Sequence, residues 1–421
     1  MLPGIRILLF LFFLATTASA QSYDLLIRNG FLIDPQTHRQ EILDLAIRDN
    51  RIVKIARHID PQKAKTRIDA RGMIVCPGLI DIHTHVFFGP DPHDEAANAN
   101  GAEPASGTED NEYAGGSEAL HPDSFSFRTG VTTVVDAGSS GWRNFEIFKR
   151  RVIDHSKTRV LAFLNIVGAG MRGNPYEQDT TDMNSRRAVA TAQKYHQYIV
   201  GFKVAHYTGT SWHPIDAAVK AGIKANIPVM IDFGEHMPPM PLQQLFENHL
   251  RPEDIFTHCF AQLEDREPIV DPQTSRLKPF VIQARKKGIV FDLGYGGISF
   301  AFSQAVPAVA AGFLPNSIST DLHNGASHDI LDIMAQFLAL GVDLPTLIRM
   351  TTRNPAQEIK RKDLGRLQQG AIADIAILSE QKGRFEFADH TGQKLAGKEK
   401  LECVWTIKDG KIVYSRKSPG F

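Results

Sequence analysis

Pro77-Gly78-Leu79-Ile80-Asp81-Ile82-His83-Thr84-His85 is an apolar run that closes on two histidines two residues apart. Successive side chains of a strand alternate faces, so residues i and i+2 point the same way. His83 and His85 therefore converge at one strand end, and two converging imidazoles are half of a metal site. Seven further apolar, β-rich runs follow: Thr132–Asp136, Val160–Val167, Ile199–Val204, Val229–Phe233, Ile255–Phe260, Ile289–Leu293 and Ile318–Asp321. Ile215–Ala225, Leu242–Leu250 and His328–Leu340, lying between them, have helical spacing of apolar residues. Strands apolar on both faces and alternating with helices belong to a parallel sheet covered on both sides. Eight such units predict an α/β fold, a closed (β/α)8 TIM barrel over residues 76–365 with its active site at the C-terminal strand ends.

The flanks have a different pattern. Leu25-Leu26-Ile27 precedes Asn29-Gly30, Leu45-Ala46-Ile47 precedes Asp49-Asn50, and these dipeptides predict hairpins. Strand-like Ala373–Leu378 and Val404–Ile407, with an Asp409-Gly410 turn, repeat the pattern at the other end. Residues 21–75 and 366–421 are thus expected to form one small β-sandwich domain split between the chain ends, since domain termini often lie close together. Residues 1–20 have Arg6, the apolar run Ile7–Leu14 and small residues Ala18-Ser19-Ala20. That is the order of a cleaved signal peptide and predicts a periplasmic or secreted protein. The segment 88–121 is rich in Gly, Ala, Asn, Asp and Glu. Such a composition builds no core, so it is expected as a loop insertion over the catalytic face, either solvated or closing on substrate.

Composition excludes several partners. Lys+Arg and Asp+Glu both number 47 in 421 residues, so no bulk field favours nucleic acid or an anionic membrane. No apolar run reaches the roughly 20 residues that span a bilayer. Three cysteines, Cys76, Cys259 and Cys403, are too few and odd in number for a disulfide framework. A small-molecule substrate remains.

The other strand ends carry chemistry as well. Lys203 lies inside the apolar run Ile199–Val204, where a lysine is costly unless paired or chemically altered. His258 and Asp321 close the sixth and eighth runs. Each alone could be a satisfied core polar group; together with His83 and His85 they face one barrel mouth as a metal centre.

With these residues in place, the Pro77–His85 stretch resembles the signature of the amidohydrolase superfamily. That group includes dihydroorotases, dihydropyrimidinases and D-aminoacylases. The resemblance runs over nearly the whole chain after the leader, through Gly365-Arg366-Leu367 and Ala373-Asp374-Ile375. Val131–Gly141 and Ile318–His323 look closer to the amidohydrolase/deacetylase branch with acetyl-(R)-mandelate esterase-like members. The resemblance implies two divalent metal ions, with Zn2+ the expected species. His83 and His85 would ligate the more buried ion, and Lys203 would be carboxylated and bridge both. His258 would hold the second ion, while Asp321 would touch the first and act as the catalytic proton acceptor.

The resemblance fails at the fifth strand. Asp232 stands where a histidine is expected. A carboxylate ligates zinc at about the same distance as an imidazole, so Asp232 could serve, His236 could reach back instead, or the second ion could be weak or missing. Tyr295, His206, Arg143 and His323 lie in other mouth loops and are candidates for substrate binding. The implied activity is hydrolysis of a carboxylic amide, cyclic amide or ester bond by a metal-bridging hydroxide, deacetylase- or aminoacylase-like. A mononuclear deaminase of the same superfamily and a metal-poor, non-catalytic scaffold are the alternatives. Barrels of this type commonly pair, so a homo-oligomer is among the expected states.

Overall fold

The computed structural model describes residues 22–88, 119–234, 236, 239–326 and 328–416. The expected leader and most of the 88–121 insertion lie outside the described residues. The strands are β1 (Tyr23–Asp34), β2 (Arg39–Arg48), β3 (Arg51–Ala56), β4 (Ala64–Asp69), β5 (Ile74–Pro77), β6 (Leu79–Thr84), β7 (Val131–Gly141), β8 (Arg159–Asn165) and β9 (Ile199–Val204). After them come β10 (Val229–Ile231), β11 (Ile255–Phe256), β12 (Val270–Asp271), β13 (Arg276–Leu277), β14 (Val290–Phe291), β15 (Ile375–Ala388), β16 (Lys394–Lys408) and β17 (Lys411–Ser415).

Both chain ends meet in one eight-stranded sheet of order β17-β16-β15-β5-β1-β2-β3, with β4 branching off β1. The seam is antiparallel, from Ile375 opposite Pro77 to Leu378 opposite Ile74. Where a sandwich was expected, hydrogen bonding draws a single branched sheet: the first half of β1 pairs with β4 and its second half with β5. Asn29-Gly30 is not the hairpin its sequence predicts. It is a bulge inside β1, with Asn29 at φ 58 and a register shift between Ile27 and Gly30. Gly30 is required there because a Cβ would come within 2.4 Å of Val75 Cγ2. Asp49-Asn50 does turn β2 into β3, and Asp409-Gly410 turns β16 into β17.

Seven strands form the parallel barrel wall in the order β14-β11-β10-β9-β8-β7-β6. The eighth run, Ile318–Asp321, forms no regular strand. It still closes the wall through parallel bridges of Ser317 to Asp292 and Leu322 to Thr84. Asp321 N donates to His83 O at 2.7 Å and His85 N to Leu322 O at 3.0 Å. Regular pairing stops because Asp321 adopts φ 50 and its neighbours Gly294 and Gly296 adopt φ 48 and 59, outside the extended region. Side chains secure the seam instead: Thr320 Oγ1 donates to Asp81 Oδ2 at 2.6 Å, and Thr320 N to Asp81 Oδ1 at 3.1 Å.

Helices His213–Ala225 and Ile330–Ala339 match the expected helical spacing. Leu242–Leu250 resolves into one short helical turn and a π-helical turn, Leu245–His249. Phe202, Phe246, Phe256, Phe260 and Phe291 are fully buried among wall and helices. Each contributes roughly 1.5–3 kcal/mol by leaving water. Among the described residues no helix is long and apolar enough to cross a membrane.

The helix Arg353–Glu358 places Glu358 Oε2 in the interior without a hydrogen-bond partner. Burial, with the Asp292 charge adding to it, pushes this carboxyl up to about 8 from an ordinary 4.5. Between those values the unfolded chain binds fewer protons than the folded one, so stability falls as pH rises from about 4.5 to about 8. Glu358→Gln is neutral throughout and should lose this component. The wild-type Tm is expected to drop more than the variant's between pH 5 and pH 8. Parallel melting curves for the two proteins would refute the assignment.

Candidate metal centre

His83 and His85 emerge from β6 with their Nε2 atoms on one carboxylate oxygen, Asp321 Oδ1, at 3.4 and 3.1 Å. The ligand atoms of His83, His85 and Asp321 all lie within 4.8 Å of one another. Donor atoms about 2.0–2.2 Å from a tetrahedral zinc are roughly 3.3 Å apart, so the trio has the spacing of a first coordination sphere.

Tautomers point to the same conclusion. Thr257 Oγ1 donates to Asp292 Oδ2 at 2.8 Å, so at 2.9 Å it accepts from His83 Nδ1–H. The His83 Nε2 lone pair is thereby turned inward. His258 Nδ1–H donates to Gly294 O at 2.6 Å, again freeing Nε2 for the interior. His85 Nδ1 meets Ser139 Oγ at 3.0 Å. A histidine held through one nitrogen and presenting the other is the arrangement that metal ligation requires. Burial, followed by the charge of Lys203, lowers the His83 pKa to about 3, so His83 is neutral and able to ligate.

Lys203 extends from β9 into the same space, fully buried, with Nζ 3.1 Å from His83 Nε2. Its nearest ion-pair oxygen, Asp232 Oδ2, is 4.0 Å away. Burial lowers its pKa, opposed by Asp232, Asp321 and Asp292. Gly138 makes the room: at φ 94, a Cβ there would lie 2.6 Å from Lys203 Cγ. Asp232 follows β10 and directs Oδ2 to His258 Nε2 at 3.1 Å, while Oδ1 accepts from Arg266 Nη2 at 2.7 Å. Burial would raise its pKa, but His258 and Arg266 hold it well below the usual carboxylate value. Asp321 is likewise held low by His83 and His85 against its burial.

Of the substrate-side candidates, His206 lies closest to the centre. Its Nδ1–H donates to Glu177 Oε2 at 2.8 Å and its Nε2 is 3.7 Å from Asp232 Oδ2. Burial would lower the His206 pKa, but Glu177 and Asp232 raise it to about 9. His323 donates from Nδ1 to Asp321 O at 2.8 Å, with its ring 6.3 Å from that of His85. Tyr295 must be corrected: its phenol donates to Gln336 Oε1 at 3.1 Å and its ring stacks on Phe300 at 4.6 Å, inside the core. Packing decided this, because Phe300 stacks on the ring and Gln336 accepts from the hydroxyl. Arg143 is placed by two neighbours. It is committed to Asp182 and to the Trp142 face, facing a neighbouring cavity lined by Arg172 and Tyr176. Of the two alternatives at the fifth strand, Asp232 is the one that meets His258, at 3.1 Å; His236 donates Nδ1–H to Gly209 O at 2.9 Å.

Sequence reading missed the supporting groups Asp292, Thr257, Ser139, Glu177 and Arg266. Asp292 had a signal. It is a lone acid in an apolar run, the feature that drew notice to Lys203.

A parallel barrel with histidines, an aspartate and a lysine converging at its strand ends defines a metal-dependent TIM-barrel hydrolase. The chain belongs to the amidohydrolase superfamily. The Amidohydrolase family matches residues 339–414. Deacetylase Atu3266 of Agrobacterium fabrum is 30% identical over 355 residues, covering 82% of this chain and 80% of that protein. Among solved structures, an adenine deaminase superposes with TM-score 0.78 at 27% identity, over 94% of this chain and all of the other. A dihydroorotase superposes with TM-score 0.77 at 25% identity, over 93% and 99%.

Proposed function

We propose that the protein hydrolyses a carboxylic amide, cyclic amide or ester bond in a small molecule, as a deacetylase- or aminoacylase-like binuclear enzyme. The observation that carries this reading is the inward convergence of His83 Nε2, His85 Nε2 and Asp321 Oδ1 beside Lys203. His83, His85 and Asp321 would hold one divalent ion. Asp232 and His258 would hold a second, with carboxylated Lys203 between them. The mixed nitrogen and oxygen donor set suits zinc. When bound, such ions bring the pKa of water to near neutrality and polarise a carbonyl.

The protein's own groups do the rest. Thr257 and Asp292 fix the His83 tautomer, so its Nε2 stays a lone pair throughout turnover. Arg266 keeps Asp232 ionised and directed inward. Asp321 accepts the proton of the attacking water and returns it to the leaving nitrogen or oxygen. The names of the similar deacetylases support acyl transfer to water in preference to other superfamily chemistry.

The mononuclear reading has one observation in its favour. Among the described residues, only the His83, His85 and Asp321 trio meets the mutual spacing of a ligand set. Metal analysis of the purified protein separates the two readings. About two divalent ions per chain is the expected result for the binuclear enzyme, a single ion would favour deaminase-like chemistry, and none would overturn both.

A further inference from the structure

The end of the barrel away from the metal centre holds two arginines without a counter-charge. Arg285 belongs to the helix Pro279–Lys287 and Arg349 to the helix Leu344–Thr351. Both line one open groove of about 540 Å³. It runs beside Ile289 and Val290, where β14 begins, and beside Leu314 and Asn316, ahead of the eighth run. These are N-terminal strand ends, so the length of the barrel separates the groove from His83 and His85. No acidic residue lines it, and among the described residues neither guanidinium has a carboxylate within ion-pair distance.

Arg285 is held by the fold. Its guanidinium carbon lies 4.0 Å from the Phe313 ring centre and 5.6 Å from that of Phe291. Nη2 donates to Leu314 O and, at 3.3 Å, to Asn316 Oδ1, while the buried Nε has no hydrogen-bond partner. Burial lowers the Arg285 pKa, and the Cys259 thiol opposes this without help from any carboxylate. A charged donor in this state is costly unless something else completes it. Asn316 is equally fixed. Its N donates to Phe291 O at 2.7 Å and its O accepts from Asn354 Nδ2 at 2.6 Å. Its Oδ1 is taken by Phe291 N at 3.0 Å and by Arg285, so its Nδ2 remains a donor for the groove.

A smaller cavity of about 210 Å³ continues the groove, sharing Thr346 and Arg349 and adding Arg39. Its two acids are already engaged. Asp34 accepts from Thr37 Oγ1 at 2.6 Å and from Leu367 N at 3.1 Å, and Asp343 caps Thr346 N at 3.0 Å. Fixed guanidinium and amide donors with no competing acid match an oxyanion. A carboxylate brings one charge and two oxygens, whereas a phosphate monoester brings about −1.5 to −2 and three acceptor oxygens. Two arginines and an amide suit the second. The groove has the volume of a small-molecule site, and Leu314, Pro315 and Met350 give it an apolar wall. We propose that this groove binds a small phosphate monoester, with Arg285, Arg349 and Asn316 meeting the phosphate oxygens and the apolar wall covering the group that bears them. The site is remote from the metal centre and does not depend on the hydrolase reading.

Calorimetric titration of the whole metal-loaded chain with phenyl phosphate, inorganic phosphate and benzoate tests this. Bound metal can also attract phosphate, so each titration is repeated on Arg349→Gln at equal metal content. The wild type should bind phenyl phosphate about 10-fold tighter than benzoate, and Arg349→Gln should lose about 10-fold of that affinity, the scale of a lost charge-assisted contact. Arg349→Lys and Arg285→Lys, which keep the charge without the fork, should each retain part of it. Arg349 is half-buried at the groove edge, so its variants decide the matter even where a change at the packed Arg285 prevents folding. Phenyl phosphate bound alike by the wild type and Arg349→Gln would put the anion at the metals and overturn the proposal. So would a wild type that binds no phenyl phosphate at millimolar concentrations. Benzoate bound as tightly as phenyl phosphate would overturn the phosphate class, and inorganic phosphate bound as tightly would overturn the ester.

Discussion

Lys203→Ala is expected to abolish turnover, by about a thousandfold or more, and to lower bound metal by about one ion per chain. The argument starts from burial. Lys203 is fully buried in β9, and moving an ammonium out of water is unfavourable unless an oppositely charged group meets it. Its Nζ has a neutral imidazole nitrogen at 3.1 Å and no ion-pair oxygen closer than 4.0 Å. Burial therefore dominates and favours the uncharged amine. An uncharged amine is a nucleophile, and under the proposed function it would add CO2 and lose a proton to give a carbamate able to reach both halves of the centre. Alanine would remove the proposed bridge. It also removes the packing beneath Gly138, so Lys203→Met is the better control for folding. The metal-free methionine variant should melt no lower than the metal-free wild type, because an apolar chain replaces an uncompensated buried amine. Elemental analysis with kinetics decides the matter: full metal content and full rate in either variant would refute a bridging role.

Legibility in the sequence followed periodicity and charge. The barrel wall was readable because parallel strands buried on both faces are apolar throughout, and seven of the eight runs became its strands. The eighth segment was located but misjudged in form, since Asp321, Gly294 and Gly296 leave the extended region to seat the site. His83, His85, Lys203, His258 and Asp321 could be found because a polar residue at an apolar strand end is conspicuous. Tyr295 was misplaced, and the Asp182 partner of Arg143 went unforeseen, for the opposite reason. Loop side chains choose partners far away in sequence, such as Gln336, 41 residues on, and Asp182, 39 residues on, and no periodicity encodes that choice. Arg266 was invisible in the same way: its significance depends on Asp232 and Gly234, which the fold alone brings to it. Asn29-Gly30 has the composition of a turn but was overruled by pairing, because β1 continues through it to reach β5.

Asp321→Asn separates ligation from proton transfer. Asparagine keeps the shape of the side chain and an oxygen able to face His83 and His85. It also tolerates the left-handed backbone, so φ 50 at this position adds little strain. What it lacks is a basic oxygen. In the wild type, His83 and His85 hold the Asp321 carboxyl far below its ordinary value despite burial, so it is ionised across the neutral range. Its charge should therefore place no limb in the pH–rate profile near neutrality. The asparagine variant is expected to lose about 10²–10⁴-fold in kcat, the usual scale for a general base, with a smaller change in metal content than Lys203→Ala. KM should change little, since the lost interaction belongs to proton transfer and not to binding. Wild-type kcat in a fully metal-loaded Asp321→Asn protein would remove the proton from Asp321. His323, whose Nδ1–H is donated to Asp321 O at 2.8 Å, would then be the group to substitute next.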